Sequence, residues 1–270
     1  MSRLARLCLG AVFVLTLASA CRTRGPFAPT GAHPDAGAPA PTRIGWLQAG
    51  QSNAYQCTRG VAAAVPGARA WNAEAGAWQL LADPIPLGPP RANWPFCETG
   101  WLPFLAQAMT ARGYAFDVAG WAVPAANIRV YDEGEDAWVR LAAAAAALGP
   151  RATHFAVWIG EANATDDDLD MFAVRLDSLV RRVRALVPSV RQVVLFGLAD
   201  APRRADVVTA LPGLADRYAQ VRAILRDYAA RHPDTAYVST EGVSLEPEEF
   251  HPNLAGAREI GAVRLPALLR

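Results

Sequence analysis

The chain has 270 residues, a length that suits one domain with a large core once targeting residues are set aside. Hydrophobic residues make up 52 % of it, which excludes a disordered chain, although much of that fraction is alanine. The net charge is +1 and every cation is Arg, so composition calls for neither nucleic acid nor an anionic membrane surface as a partner.

Arg3 and Arg6 form a basic start, Leu7 to Leu17 is apolar, and Ala18-Ser19-Ala20-Cys21 follows. The apolar run is too short for a membrane span and reads as an export signal over residues 1–20. The small residues before Cys21 resemble a bacterial lipoprotein signal, in which the Cys is lipidated and becomes the first mature residue. Ala18 departs from that motif, which usually has Leu there. The competing reading is an ordinary signal peptide cut after Ala20. The expectation is an envelope protein attached to the membrane by a lipid at Cys21, or else a secreted one. Residues 21–42, rich in Pro, Gly and Ala, read as a tether that carries His33. The folded domain is expected over residues 43–270. Cys8 leaves with the signal, so Cys57 and Cys97 remain as an even pair in an oxidising compartment. They form either a disulfide or two buried small apolar groups.

Five short apolar runs predict strands buried on both faces: Ile44–Ala49, Phe116–Val123, His154–Ile159, Gln192–Leu198 and Thr235–Ser239. Helix patterns lie between them, at Leu102–Arg112, Trp138–Leu148, Asp168–Val187, Leu214–Arg231 and Asn253–Leu269. The third carries an apolar stripe of Phe172, Leu176, Leu179, Val180, Val183 and Leu186, with Asp166, Asp167 and Asp168 at its start. This alternation predicts an α/β/α sandwich around a five-stranded parallel sheet. Residues 54–99 break the rhythm. Within them Ala70–Gln79 reads as a small hairpin, and Pro84, Pro86, Pro89 and Pro90 follow. An insertion of this length beside the carboxyl edge of a sheet is a candidate part of a binding site.

Acyl transfer by a serine needs a nucleophile, a His base, a carboxylate that orients the His, and donors for the oxyanion. Ser52 follows the first strand directly, at the edge where open α/β sheets bind ligands. Its surroundings, Gly50-Gln51-Ser52-Asn53-Ala54, are not the G-x-S-x-G elbow, and such a Ser is often only a turn or cap. Among the histidines, His33 lies in the tether, His154 begins a strand and His232 marks a helix exit. His251 lies in a loop after the last strand, with Glu248 and Glu249 beside it as candidate orienting groups. No metal ligand set is clustered, and no cofactor is expected.

These blocks resemble the SGNH (GDSL-like) hydrolases, in particular the sialate O-acetylesterase and acetylxylan esterase branch. Its Ser block, Gly-Gln-Ser-Asn, matches Gly50-Gln51-Ser52-Asn53 in full. Its Gly block resembles Gly100-Trp101-Leu102-Pro103-Phe104. Its insertion is similar to Trp71 through Asp83-Pro84, and its terminal Asp-x-x-His block resembles Glu248 to His251. The resemblance spans residues 43–270. It implies a flavodoxin-like SGNH fold and a Ser52-His251-Glu248 triad. It also implies an oxyanion hole from the Ser52 and Gly100 N–H groups, and an acylated carbohydrate as substrate.

Two departures accompany it. Where the branch reads Gln-Gly-Glu-Ser-Asp/Asn, this chain has Ile159-Gly160-Glu161-Ala162-Asn163. Ile159 has no donor, so Asn163 is the nearest substitute for the missing Gln, or else a helix cap. Glu248 replaces the usual Asp, with Glu249 as its rival. Trp71, Trp78, Trp94 and Trp101 are candidates for sugar stacking or for core packing. The leading expectation is a carbohydrate O-acetylesterase. A non-catalytic glycan-binding lipoprotein and a carbohydrate O-acyltransferase are the alternatives.

Overall fold

The computed structural model describes residues 42–60, 62, 64–90, 95 and 97–269. The export signal, Cys21, the tether, His33 and Trp94 lie outside these residues.

The chain enters β1 (Arg43–Gly50) and then a hairpin of β2 (Ala68–Asn72) and β3 (Ala77–Leu80). α1 (Leu102–Ala111), β4 (Ala115–Ala122), α2 (Asp136–Leu148) and β5 (Ala152–Trp158) follow. Next come the short α3 (Glu161–Thr165), α4 (Phe172–Leu186), β6 (Gln192–Phe196) and the short α5 (Ala205–Ala210). The chain ends with α6 (Leu214–Arg231), β7 (Thr235–Val238) and α7 (Leu254–Arg258), which continues as a π-helical turn over Glu259–Arg264. One sheet runs in the order β3-β2-β4-β1-β5-β6-β7, parallel throughout except for the β2–β3 pair.

The expected five parallel strands are present, but the sheet has seven strands, not five. The difference is the hairpin. Its first strand pairs in parallel with β4 through Ala68–Ala70 opposite Phe116–Val118, so the insertion extends the sheet instead of sitting apart from it. Only three residue pairs make that joint, and the small Ala68 and Ala70 bury there.

Strand side chains alternate between two cores. Ile44 and Trp46 of β1 and Trp158 of β5 pack with α1 and the C-terminal helix. Leu47 and Ala49 of β1 and Phe155 and Val157 of β5 pack with α2, α4 and α6. The α4 stripe buries as its spacing predicts, apart from Leu186, which is exposed in the last turn. The amino-terminal side of the sheet carries an ion cluster built on one buried carboxylate and three half-exposed arginines. Asp117 of β4, fully enclosed, takes Arg43 at 2.7 Å, Arg69 at 2.8 Å and Arg151 at 2.7 Å. Three cations repay the burial of one carboxylate, which a single exposed pair does not do.

His154 of β5 is 4 % exposed, stacked on Trp46 and bonded through Nδ1 to Thr153 Oγ1 at 2.8 Å. Burial, together with the positive charge of Arg191, pushes its pKa down to about 4. The folded state therefore holds this ring neutral. Its contribution to stability is full above the unfolded pKa of about 6.5 and is lost as pH falls toward 4. The difference amounts to roughly 3 kcal/mol. Urea unfolding of the parent between pH 7 and pH 4 is expected to show that slope. His154→Leu is expected to flatten the His part of it, whatever its effect at neutral pH.

Candidate active site

β1 ends at the carboxyl edge of the sheet, and the backbone there is tightly constrained. Gly50 has φ +143°, and a Cβ on it would lie 2.0 Å from the Trp158 carbonyl, so no other residue fits. The Gly50 N–H donates to Tyr131 Oη at 2.9 Å, and the Tyr131 hydroxyl in turn donates to carbonyls of the same edge. The next N–H, of Gln51, donates to Trp158 O at 2.9 Å. The Gln51 side chain accepts from Ala162 N–H at 3.1 Å. The turn that carries Ser52 is thus held by β5 and α3 before Ser52 itself makes any contact.

Asn53 ties this turn to two further segments. Its Nδ2 donates to Glu161 Oε1 at 2.8 Å and to the Phe250 carbonyl at 3.2 Å. From below, Trp101 Nε1 donates to Asn53 O at 3.2 Å. The His251 loop is fixed in its own right. Glu246 N–H donates to His251 O at 2.7 Å, Asn253 N–H to Ser244 O at 3.0 Å, and Thr58 Oγ1 to Pro252 O at 2.8 Å. Asn253 then caps α7 by accepting from Gly256 N–H. Cys57 and Cys97 are joined in a disulfide, which closes the segment that follows the Ser turn.

These ties bring Ser52 and His251 into one pocket of about 310 Å³, lined also by Gln51, Ala125, Glu161, Ala162, Asp166 and Phe250. Glu248 Oε1 lies 2.7 Å from His251 Nδ1. Burial is the largest single influence on Glu248 and opposes its ionisation, but the bond to His251, a backbone hydrogen bond of its own and the charges of His251 and Arg59 together outweigh it and hold the carboxyl below the usual range. The rival Glu249 points elsewhere. With φ +67° it turns its Oε2 onto the N–H groups of Arg203 and Arg204.

Two expected oxyanion donors are not in this pocket. Gly100 packs against the Gln56 side chain, where a Cβ would meet Oε1 at 2.1 Å, and Gln56 Oε1 accepts from Leu102 N–H at 2.9 Å. Gly100 therefore leaves room for the Gln56 side chain, which holds the start of α1. Asn163 is fully buried inside α3. Its Oδ1 accepts from Ile128 N–H at 3.0 Å and its Nδ2 donates to Asp168 O at 3.0 Å. Both ends of the amide are used in clamping neighbouring loops, so it neither reaches Ser52 nor caps α4. Ile159 is likewise enclosed in the core.

Ala125, which the sequence does not single out, also lines the pocket. Val123-Pro124-Ala125-Ala126 makes a tight turn at the end of β4, closed by Ala126 N–H on Val123 O at 3.2 Å. Ala125 takes the left-handed conformation, φ +58°, at the position where such turns favour Gly. The turn's own bond uses the Ala126 N–H and leaves that of Ala125 out of it. A Pro-containing turn directly after a central parallel strand was the available signal, but without a Gly it does not stand out.

Of the tryptophans weighed for sugar stacking, Trp101 is 2 % exposed and supports the Ser turn. Trp71 and Trp78 pair with each other, rings 5.7 Å apart, with Arg69 and Arg151 over Trp78.

By sequence, no family model matches the chain and no curated protein matches it significantly. By structure, the chain is similar to a protein from Arabidopsis thaliana, with TM-score 0.67 and 15 % identity over 84 % of this chain and 97 % of that one. NanS matches with TM-score 0.59 and 13 % identity, over 84 % of this chain and 97 % of the other. The chain has the SGNH (GDSL-like) hydrolase fold. A carbohydrate acetylesterase from Xanthomonas citri matches with TM-score 0.54 and 17 % identity, over 83 % of this chain and 56 % of that one. In this SGNH fold the Ser turn, the Ala125 turn and the His loop all lie at the carboxyl ends of parallel strands, where the architecture places ligands.

Because Asn53 holds both Glu161 and the His251 loop, Asn53→Ala is expected to cost about 1–3 kcal/mol in urea unfolding. The loss should be accompanied by faster amide exchange over residues 244–253 than in the parent.

Proposed function

We propose that the protein is a serine esterase that removes acetyl or other short acyl groups from carbohydrates. The observation that carries this reading is the shared pocket of Ser52 and His251, with Glu248 on the far nitrogen of the imidazole. A carboxylate accepts only, so His251 Nδ1 carries the proton and Nε2 is left as the base. In the proposed reaction His251 takes the Ser52 hydroxyl proton as Oγ attacks the ester carbonyl. Glu248 stabilises the imidazolium that forms. Backbone N–H groups of Ser52 and Ala125 hold the oxyanion, in place of the Gly100 and Asn163 groups. Collapse of the intermediate releases the sugar hydroxyl, which takes its proton from His251, and water then frees the acid by the same route.

The carbohydrate assignment rests on the Gly-Gln-Ser-Asn block and on the likeness to the Xanthomonas citri acetylesterase, which is one of fold. We further propose export, with lipidation at Cys21. Labelling with a radioactive fatty acid in a bacterial host tests it. Loss of label in Cys21→Ala is the expected result.

Hydrolysis of p-nitrophenyl acetate and of acetylated oligosaccharides tests the reaction. Ser52→Ala and His251→Ala are each expected to lower kcat by about 10⁴-fold or more, and Glu248→Gln by roughly 10²–10⁴-fold. Glu249→Gln is expected to stay within about twofold of the parent, since its carboxylate serves another loop. Equal rates for Ser52→Ala and the parent would defeat the esterase reading and leave a glycan-binding one. Transfer of the acetyl group to an added sugar would convert it to an acyltransferase.

A further inference from the structure

The pocket that holds Ser52 and His251 is floored by a carboxyl group that the reaction above does not use. Glu161 is 5 % exposed. Its two oxygens are treated unequally. Oε1 accepts from both Asn53 Nδ2 and Trp158 Nε1, each at 2.8 Å. Oε2 is enclosed and has no hydrogen-bond partner among the described residues. A carboxylate spreads its charge over both oxygens, and an ionised Glu161 would leave half of that charge on an enclosed atom without a donor among the described residues. A neutral acid keeps the same two donors on its carbonyl oxygen and leaves an unpartnered O–H in place of an unpartnered charge, which costs less.

Resting on the esterase reading, we infer that Glu161 is a positioning residue held as a neutral carboxylic acid, and that its ionisation sets an alkaline limit on turnover. Burial pushes its pKa up, against the opposing pull of the bond from Asn53, a bond from its own backbone N–H, the bond from Trp158 and the charge of His251. The charged and titratable groups around it come from three directions. His251, backed by Glu248, faces it from the terminal loop. Asp166 lines the pocket mouth at the end of its own helix. Tyr218 of α6 lies within electrostatic range, with Arg222 beside it, and Arg217 of the same helix bonds Ala164 O.

The consequence for the reaction follows from sign. The intermediate places negative charge at the oxyanion and positive charge on His251. An anionic floor would repel the first. A neutral acid does not. The arrangement parallels the buried protonated acid of ketosteroid isomerase in keeping a carboxyl uncharged at neutral pH, but here the group is assigned no bond to the reacting atoms.

The test compares the parent, Glu161→Gln and Glu161→Leu, with Ser52→Ala as the blank for spontaneous ester hydrolysis. Gln keeps the carbonyl that Asn53 and Trp158 require and does not ionise. At neutral pH Glu161→Gln is expected to keep kcat/KM within about threefold of the parent, while Glu161→Leu falls by tenfold or more. The parent's kcat/KM should decline at alkaline pH along a limb that Glu161→Gln lacks. An unchanged alkaline limb in Glu161→Gln would overturn the inference, as would a tenfold or greater loss in that variant at every pH. A second readout needs no turnover. The infrared spectrum of the resting protein at neutral pH should contain the carbonyl stretch of a protonated carboxyl, absent from Glu161→Gln. If that band is missing, the inference fails even where esterase activity is present. If it is present in a protein without esterase activity, the esterase reading fails and the neutral acid stands.

Discussion

The site depends on one amide. Asn53 Nδ2 sends one N–H to the buried acid at the end of β5 and the other to the backbone of the terminal loop. These segments are separated by 108 and 197 residues in sequence, and the Ser turn adds the third corner. An active site of this type works only when its groups are held to within a fraction of an ångström. The chain meets that demand by tying each loop to its neighbours and not to the helices outside. Gln51 bonds α3, Asn53 bonds the Glu161 and Phe250 segments, and Thr58 bonds Pro252. The disulfide then closes the segment that leaves the Ser turn.

The two ends of the sheet divide their work by charge. At one end Asp117 gathers Arg43, Arg69 and Arg151, which approach from β1, from β2 and from the turn before β5. That cluster pins the hairpin insertion to the central strands through charge as well as through the three-residue pairing of β2 with β4. At the other end the enclosed side chains are mainly neutral amides, hydroxyls and one acid whose environment favours protonation. Placing the strong ionic clamp at the far edge stiffens the scaffold without placing fixed charge beneath the reacting atoms.

Much of this was legible in the sequence. Parallel strands are buried on both faces, so the five central ones show as short continuous apolar runs, and each formed within a few residues of its expected place. The hairpin was also visible, but its union with β4 was not, because three pairs of small residues leave no periodic signature. In the site, Ser52 and His251 stand at strand ends in a recognisable order, and the structure brings them together. The oxyanion donors were not legible. Gly100 stood for the Gly block and Asn163 for the missing Gln of the third block in the family resemblance. The structure sets Gly100 against the Gln56 side chain and spends the Asn163 amide on Ile128 and Asp168. Asp117 shows the same limit, since a lone Asp in an apolar run gives no sign of three arginines arriving from elsewhere.

The third block then looks less like decay than it does in sequence. Replacing a Gln by Ile159 removes a donor, yet Ile159 packs into the helix-side core and leaves no hole. Asn163 beside it is committed to holding the loop that leads from the Ala125 turn, through Ile128 N–H. Of that block, Glu161 and Ala162 line the pocket itself. Glu161 is an acid enclosed with two donors on one oxygen and no partner for the other among the described residues. Such an arrangement is costly for a folded chain unless the group is neutral. It persists here on the floor of the pocket, alongside a bonded His–Glu pair and a Ser turn fixed from three sides. The weight of the third block therefore shifts from the missing amide to the acid two residues beyond it.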